Sequence, residues 1–259
     1  MTEEGIRRLF RCYALAVYAF LYTPIAMLVL LSFNDSNAIT LPWGGFTLRW
    51  YRALGENQSL FVSLKNSVIL GLSTAALATL IGSLAAFAFR YRFRGQTALL
   101  RILLLPLVIP GLTIGVALLL LFHALGVRPG LLTTTLVAHV GFALPYVFVL
   151  VSTRLHRFDA SLEEAAMDLG ADELTTFWQV TFPLIRPGII GSALFAFTLS
   201  FDEFIRTLFT IGNDNTLPIQ IWSMLGSMVS PELNAVATLI VVASVGFVVL
   251  GEIVRGRER

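Results

Sequence analysis

Two adjacent carboxylates, Asp202 and Glu203, stand in the run Leu199-Ser-Phe-Asp-Glu-Phe204, inside an otherwise apolar stretch from Ile189 to Ile211. A charge at bilayer depth costs at least about 2.5 kcal/mol on insertion scales, so such residues line a bundle interior or a wet path, where they can stabilise a cation in transit. Ser200 joins them on that candidate substrate path. A local alternative stays open, because Arg206 lies three residues after Glu203 and four after Asp202, close enough on a helix to pair with either. One arginine does not neutralise both. Other reactive side chains offer less. His123, His139 and His156 show no metal-ligand spacing, and Cys12 stands alone, so no intrachain disulfide forms. Lys65 is the only lysine and follows no glycine-rich loop, which excludes a P-loop nucleotide site from this chain.

The elements that must position these residues are membrane spans. With 56% hydrophobic and 13% charged residues, a soluble domain of this size would expose too much apolar surface, whereas a multi-span membrane protein needs that balance. Crossing the ~30 Å hydrocarbon core takes about 20 helical residues. Six stretches qualify: Tyr13–Phe33, Leu60–Phe89, Leu99–Phe122, Leu131–Thr153, Ile189–Ile211 and Asn234–Val254. The second is overlong, and Lys65, Asn66 and Ser67 place its start outside the bilayer. The first has the basic flank of a signal peptide, but its apolar run is too long and no small-residue cleavage site follows, so it reads as an uncleaved anchor. With the N-terminus inside, 13 arginines, from Arg7 to Arg259, fall in cytoplasmic segments, against Arg49, Arg52, Lys65, Arg128 and Arg206 elsewhere. This bias predicts that both termini are cytoplasmic. Pro24, Pro106, Pro110 and Pro145 are ordinary residues for membrane helices, and Gly111-Leu-Thr-Ile-Gly115 matches a small-xxx-small packing pattern.

A polar island from Arg154 to Pro183 interrupts the apolar chain. Ser161 is placed to cap a helix, with Glu164 reaching back in a capping box and Gly170 ending the helix in a left-handed turn. Ala165 and Ala166 add no bulk, so another backbone can come close. Asp172 is placed to cap a second helix carrying Leu174, Phe177 and Trp178, which Pro183 is expected to stop. Short amphipathic helices of this kind suit a groove on another protein. Outside, Thr47-Leu-Arg-Trp-Tyr-Arg-Ala-Leu54 offers a capping threonine and an interfacial aromatic pair, and Pro218 can start a helix with Ile221, Trp222, Leu225 and Met228 near one face.

Glu164-Ala165-Ala166, three residues to Gly170 and nine more to Val180-Thr-Phe-Pro183 resemble the EAA loop of permease subunits from bacterial ABC importers. Phe46-Thr-Leu-Arg-Trp-Tyr51, Leu64-Lys-Asn-Ser67, Leu199-Ser-Phe-Asp-Glu-Phe204 and Val229-Ser-Pro-Glu-Leu-Asn-Ala235 extend the resemblance to the second permease of spermidine/putrescine-type importers over nearly the whole chain. Phe182 stands where the EAA pattern usually has leucine, and Gly111 follows Pro110 where some polyamine permeases carry an acidic residue.

The resemblance implies an all-α integral membrane protein with six transmembrane helices in the type I ABC importer permease fold. It implies one permease domain over 1–259, with a cytoplasmic coupling loop at about 154–188 made by Glu163, Glu164, Ala165, Ala166, Asp168, Gly170 and Pro183. The implied partners are a homologous permease in a heterodimer, two ATP-binding subunits and an external solute-binding protein, in the bacterial cytoplasmic membrane. ATP and Mg would sit on the ATPase subunits, with no cofactor in this chain, and nucleic acid is no partner. The expected solute is a polyamine, the alternative an opine or amino-acid derivative, and a secondary transporter would leave the polar island without a task. Glu163-Glu164 does not make a paired-glutamate membrane metalloprotease, which needs arginine at the position of Asp168, and no Gly-x-Ser-Gly supports a serine protease.

Overall fold

The computed structural model describes residues 3–36, 42–227 and 231–256; Met228, Val229, Ser230, Arg257 and Arg259 lie outside the described residues. Among the described residues the chain is helical throughout, apart from an isolated antiparallel bridge between Asn34 and Phe46. It divides into two compact units, Met1–Leu60 with Ile221–Arg259, and Phe61–Gln220.

The first unit contains α1 (Glu3–Leu31), α2 (Arg49–Glu56) and α12 (Glu232–Gly256), with α12 packed on both others. Between α1 and α2 the Asn34–Phe46 bridge is closed by the Trp50 indole, which donates to the Asn34 carbonyl at 2.9 Å, and by the Phe33 ring stacked on Phe46. The α2 N-cap is Leu48, so the capping role expected of Thr47 is displaced: its hydroxyl accepts from the Arg49 amide at 3.1 Å, a local turn just before the helix.

The second unit is built on α3 (Gln58–Ala88), α4 (Gln96–Leu104), α5 (Gly111–Ala124), α6 (Leu136–His156), α7 (Ser161–Asp168), α8 (Glu173–Thr176), α9 (Phe182–Phe201) and α10 (Ile205–Thr210), followed by the start of α11 (Leu217–Ser227). Gly71, Ala75, Ala78, Gly82 and Ala86 recur every three or four residues along α3, giving it one face of small side chains. Neighbouring helices press onto that face so closely that a Cβ on Gly82 would stand 2.7 Å from Val147, and one on Gly71 would stand 2.8 Å from Phe197. Lipid supplies no hydrophobic drive between helices, so this close backbone approach is what holds them. Ala143, Val147, Val151, Ile185 and Ala196 complete the buried core. The Gly111/Gly115 pair works the same way on α10, where added Cβ atoms would meet Arg206 and Phe209.

Four helices are long and apolar enough to cross a membrane, Glu4–Leu31, Gln58–Ala88, Leu131–His156 and Glu173–Phe201, and a bent pair makes up to five. Glu232–Gly246 is a shorter apolar helix. Two expected spans are corrected. Leu99–Phe122 is broken: Gln96–Leu107 and Gly111–Ala124 meet at 105°, because Pro106 tightens the chain into a 3₁₀ turn and Pro110, extended at ψ 136°, starts a new helix. The Ile189–Ile211 stretch ends at Phe201 and resumes only at Ile205. Pro183 does not stop the second island helix either. It enters the first turn of α9, and residues Phe177–Thr181 widen into a π turn whose Phe177 carbonyl accepts from the Phe182 amide, so Glu173–Phe201 runs on.

Candidate functional site

The polar island folds into two short helices, but its caps differ from those expected. The N-cap of α7 is Ala160, with no side-chain cap, and the Ser161 amide donates to Asp159 Oδ1 at 3.0 Å. Asp159 has taken the capping role two residues early, so the Ser161/Glu164 capping box does not form. The C-terminal end follows expectation. Gly170 sits at φ +92°, its amide donates to the Met167 carbonyl at 2.9 Å, and the Ala171 amide reaches back to Ala166 at 3.1 Å. These two bonds are a Schellman closure, which needs a left-handed residue and therefore favours glycine. Asp172 caps α8, accepting from the Thr175 amide at 2.8 Å, and hydrogen bonding from the Thr175 side chain, with that amide second, holds the exposed carboxyl below its usual range.

α7 has two faces. Inward, the Glu163 carboxylate takes both terminal nitrogens of Arg90, Nη1 at 3.0 Å and Nη2 at 2.8 Å, and the Thr181 hydroxyl donates to it at 2.6 Å. The Arg90 hydrogen bonds, reinforced by Thr181 and opposed by desolvation, hold the Glu163 carboxyl below its usual range, and Glu163 raises Arg90 in turn. Ala166, one turn on, is half-buried beside it. Outward, Glu164, Ala165 and Asp168 are exposed, with Leu162 and Met167, and Leu169 is 90% exposed. Asp168 carries its charge at the C-terminal pole of α7, where a carboxylate is disfavoured, and no side-chain partner among the described residues offsets it. Pro183 is exposed in the first turn of α9.

The second cluster lies where α9 gives way to α10. Arg206 is buried and Glu203 half-buried, and the two are paired at 2.7 Å; Glu203 also accepts from the Arg206 amide at 2.9 Å. The guanidinium lies 3.8 Å over the Phe142 ring and against Gly111. The placement of both carboxylates within a continuous helix is thus corrected: Asp202 is the C-cap of α9. It is exposed and has no side-chain partner among the described residues. Ser200 is buried, joined to His139 Nδ1 at 2.7 Å and to Thr74 at 3.2 Å, while His139 Nε2 meets Thr207 at 2.8 Å. His139 thus bridges the two hydroxyls through its two ring nitrogens, and the Thr207 hydroxyl donates on to the Glu203 carbonyl at 2.6 Å.

The structure therefore brings Glu163, Ala166 and Gly170 into one anchored helix and Ser200 and Glu203 into one buried network, while Asp202 stays apart. Arg90 and His139 are the residues the sequence did not single out for these roles. A lone histidine inside an apolar span is the signal that flags the second, since a buried imidazole must find partners. Among the described residues no cluster could hold a metal ion.

Residues 78–256 match the family of binding-protein-dependent transport system inner membrane components. The chain is 40% identical to the spermidine/putrescine transport system permease protein PotC of Haemophilus influenzae, over 92% of this chain and 93% of that protein. It is 42% identical to the putrescine transport system permease protein PotI of Escherichia coli, over 89% and 85%. A crystal structure of a bacterial ABC transporter involved in import of the acidic polysaccharide alginate contains a chain that superposes with a TM-score of 0.70 at 16% identity, covering 99% of this chain and 98% of that one, which supports the fold alone. The chain belongs to the inner membrane permease components of binding-protein-dependent ABC importers. It is a transport subunit of a multi-component system and no enzyme.

Proposed function

We propose that this chain is one half of the translocation path of an ATP-driven importer for a small amine-bearing solute, a polyamine or a related compound such as an opine or amino-acid derivative. The observation that carries the reading is the division of α7 into an inward face, pinned by Glu163 on Arg90 and Thr181, and an outward face of exposed Leu162, Ala165 and Leu169 with Glu164 and Asp168, which have no side-chain partner among the described residues. Apolar residues that fold without cover, rimmed by acids, suit a groove on a partner. That partner is one of two ATPase subunits, which hold ATP and Mg, while Gly170 and Pro183 fix the lever between α7 and α9. The relatives' names support an amine-bearing solute.

In this reading residues 1–259 form one transmembrane permease domain with six spans, both termini cytoplasmic and the coupling loop at about 154–188. The bent pair Gln96–Ala124 serves as the third span and α12 as the sixth. A homologous permease completes the path, since six helices enclose little space alone, and an external binding protein delivers the solute. Ser200, Asp202 and Glu203 line the path. Import against a gradient needs only that the outward- and inward-open states hold solute with different affinities. The test is ATP-driven uptake into proteoliposomes holding the assembled complex: Glu164→Lys should abolish it while the complex still assembles, and uptake at the normal rate would remove the coupling role.

A further inference from the structure

Arg206 is a cation inside a path read as cation-selective, and its geometry is unusual for a residue that only balances Glu203. The pair uses Nη1 alone; among the described residues Nε is buried without a hydrogen-bond partner, and no bond is made by Nη2. Those two N–H groups lie along one edge of the planar guanidinium, the edge that accepts a carboxylate side-on with two parallel bonds. The residue is only 6% exposed, and the Phe142 ring under the guanidinium fixes its plane.

The same guanidinium borders the start of α5. Its Nη1, Cζ and Nη2 stand 3.1–3.3 Å from where a Cβ on Gly111 would be, so the absence of a side chain there is what admits it. Pro110 is the N-cap and provides no side-chain cap, and Ile114 is the residue whose amide reaches the Pro110 carbonyl. The preceding amides of an α-helix have no intrahelical acceptor, and they carry the positive end of its dipole. A buried fork and a helix N-terminus thus converge on one spot. With Glu203 cancelled by Arg206, Asp202 is the one uncompensated carboxylate of the cluster.

The geometry points to a solute with one ammonium and one carboxylate group: Arg206 with the α5 N-terminus receives the carboxylate, and Asp202 attracts the ammonium. Arg206 is then a specificity-determining residue that turns the path away from polycations, which would bring a second positive charge against it. This rests on the reading of Ser200, Asp202 and Glu203 as a solute path.

The test measures uptake of 4-aminobutyrate and of putrescine, four-carbon solutes that differ in one charged end, per assembled complex with the same binding protein throughout. The binding protein's preference then cancels in each comparison of variant with wild type. Arg206→Lys keeps the charge and the partner for Glu203 but loses the fork, so the ratio of 4-aminobutyrate to putrescine uptake should fall about tenfold. Glu203→Gln/Arg206→Gln, which removes both charges together without leaving a buried charge unpaired, should lower the same ratio at least as far, because it also lifts the repulsion of a second ammonium. An unchanged ratio in both variants overturns the inference, as does a wild type that carries putrescine in preference or carries neither probe. Asp202→Asn separates the layers: if it lowers uptake of both probes while the Arg206 variants behave as wild type, the path stands and the carboxylate site falls. If none of the variants alters uptake, both fall.

Discussion

The Glu163 carboxylate closes a bidentate pair on the Arg90 guanidinium, at 3.0 and 2.8 Å, and receives the Thr181 hydroxyl on the oxygen shared with Nη1. Arg90 follows the end of α3 and Thr181 lies in the π turn before α9, so one carboxylate gathers α7, α3 and the run into α9. A force applied to the exposed face of α7 passes through this joint to two long helices. Breaking it with Glu163→Gln or Arg90→Met should cost about 1.5–3 kcal/mol each, the usual range for a hydrogen bond to a charged group. The double mutant should cost clearly less than the sum, read from thermal unfolding of the assembled complex. Additive losses would show that the pair is not coupled.

The same joint gives a pH dependence. The folded Glu163 carboxyl is depressed below its ordinary 4.5 by the hydrogen bond from Arg90 above all, so its contribution is fully present above that value and is lost as pH falls through the depressed one. Amide exchange in α7 should therefore be flat from about pH 7 to about pH 5 once corrected for intrinsic rates, and should accelerate as pH falls below the ordinary value and through the depressed one. Glu163→Gln should remove that acid step, and an acid step of equal size in the variant would assign it to another group.

Gly170 is the simplest place to separate backbone strain from contacts. Nothing lies within 4 Å of where its Cβ would be, so the left-handed φ of +92° is the whole constraint. Gly170→Val should destabilise the closure of α7 by about 1–2 kcal/mol and reduce uptake per assembled complex, with Gly170→Asn milder because asparagine tolerates that conformation. Equal uptake in Gly170→Val and wild type would show that the closure is not needed for coupling.

Much of the island was legible from residue types alone. Gly170 as the left-handed terminator and Asp172 as the α8 cap needed only local chemistry, which acts through the chain's own backbone. What failed was also local, a competition the sequence cannot weigh: Asp159 and Ser161 both suit a cap, and Asp159 took the Ser161 amide. Pro183 misled because a widened turn before it absorbs the missing amide, and that escape depends on neighbours in space. The breaks at Pro110 and Asp202 belong to the same class. Apolar runs reveal that a segment enters the membrane, and Pro106 and Pro110 make the bend between α4 and α5, but that it is held there depends on packing, here of Arg206 and Phe209 against Gly111 and Gly115. Which of the two carboxylates Arg206 reaches was also decided in the third dimension, since it pairs with Glu203.

Membrane orientation is open to a direct chemical test. Glu56 and Asn213 are exposed and fall outside in the proposed topology, whereas Leu169 falls inside. Gly44 is a poor probe position, because a Cβ there would stand 2.6 Å from the Asp35 carbonyl oxygen. In a chain with Cys12 replaced by serine, Glu56→Cys and Asn213→Cys should react with an impermeant maleimide on intact cells, and Leu169→Cys only after permeabilisation. The reverse pattern would invert the topology and remove the island from the cytoplasm.

The central claim is that the outward face of α7 docks on an ATPase subunit, and cross-linking at Ala165 tests it most directly. Ala165 is exposed between Leu162 and Leu169 on that face, and the free, exposed Cys12 must first be replaced. Ala165→Cys, in the complex assembled with the ATPase carrying single cysteines along its groove, should form a disulfide with the ATPase under mild oxidation, with a yield that changes when ATP binds. Arg128→Cys, on an exposed loop outside in the same topology, should form none. Cross-linking from Arg128→Cys in place of Ala165→Cys, or an Ala165→Cys complex that remains uncross-linked while ATP-driven uptake proceeds, would contradict the assignment of this helix as the coupling element.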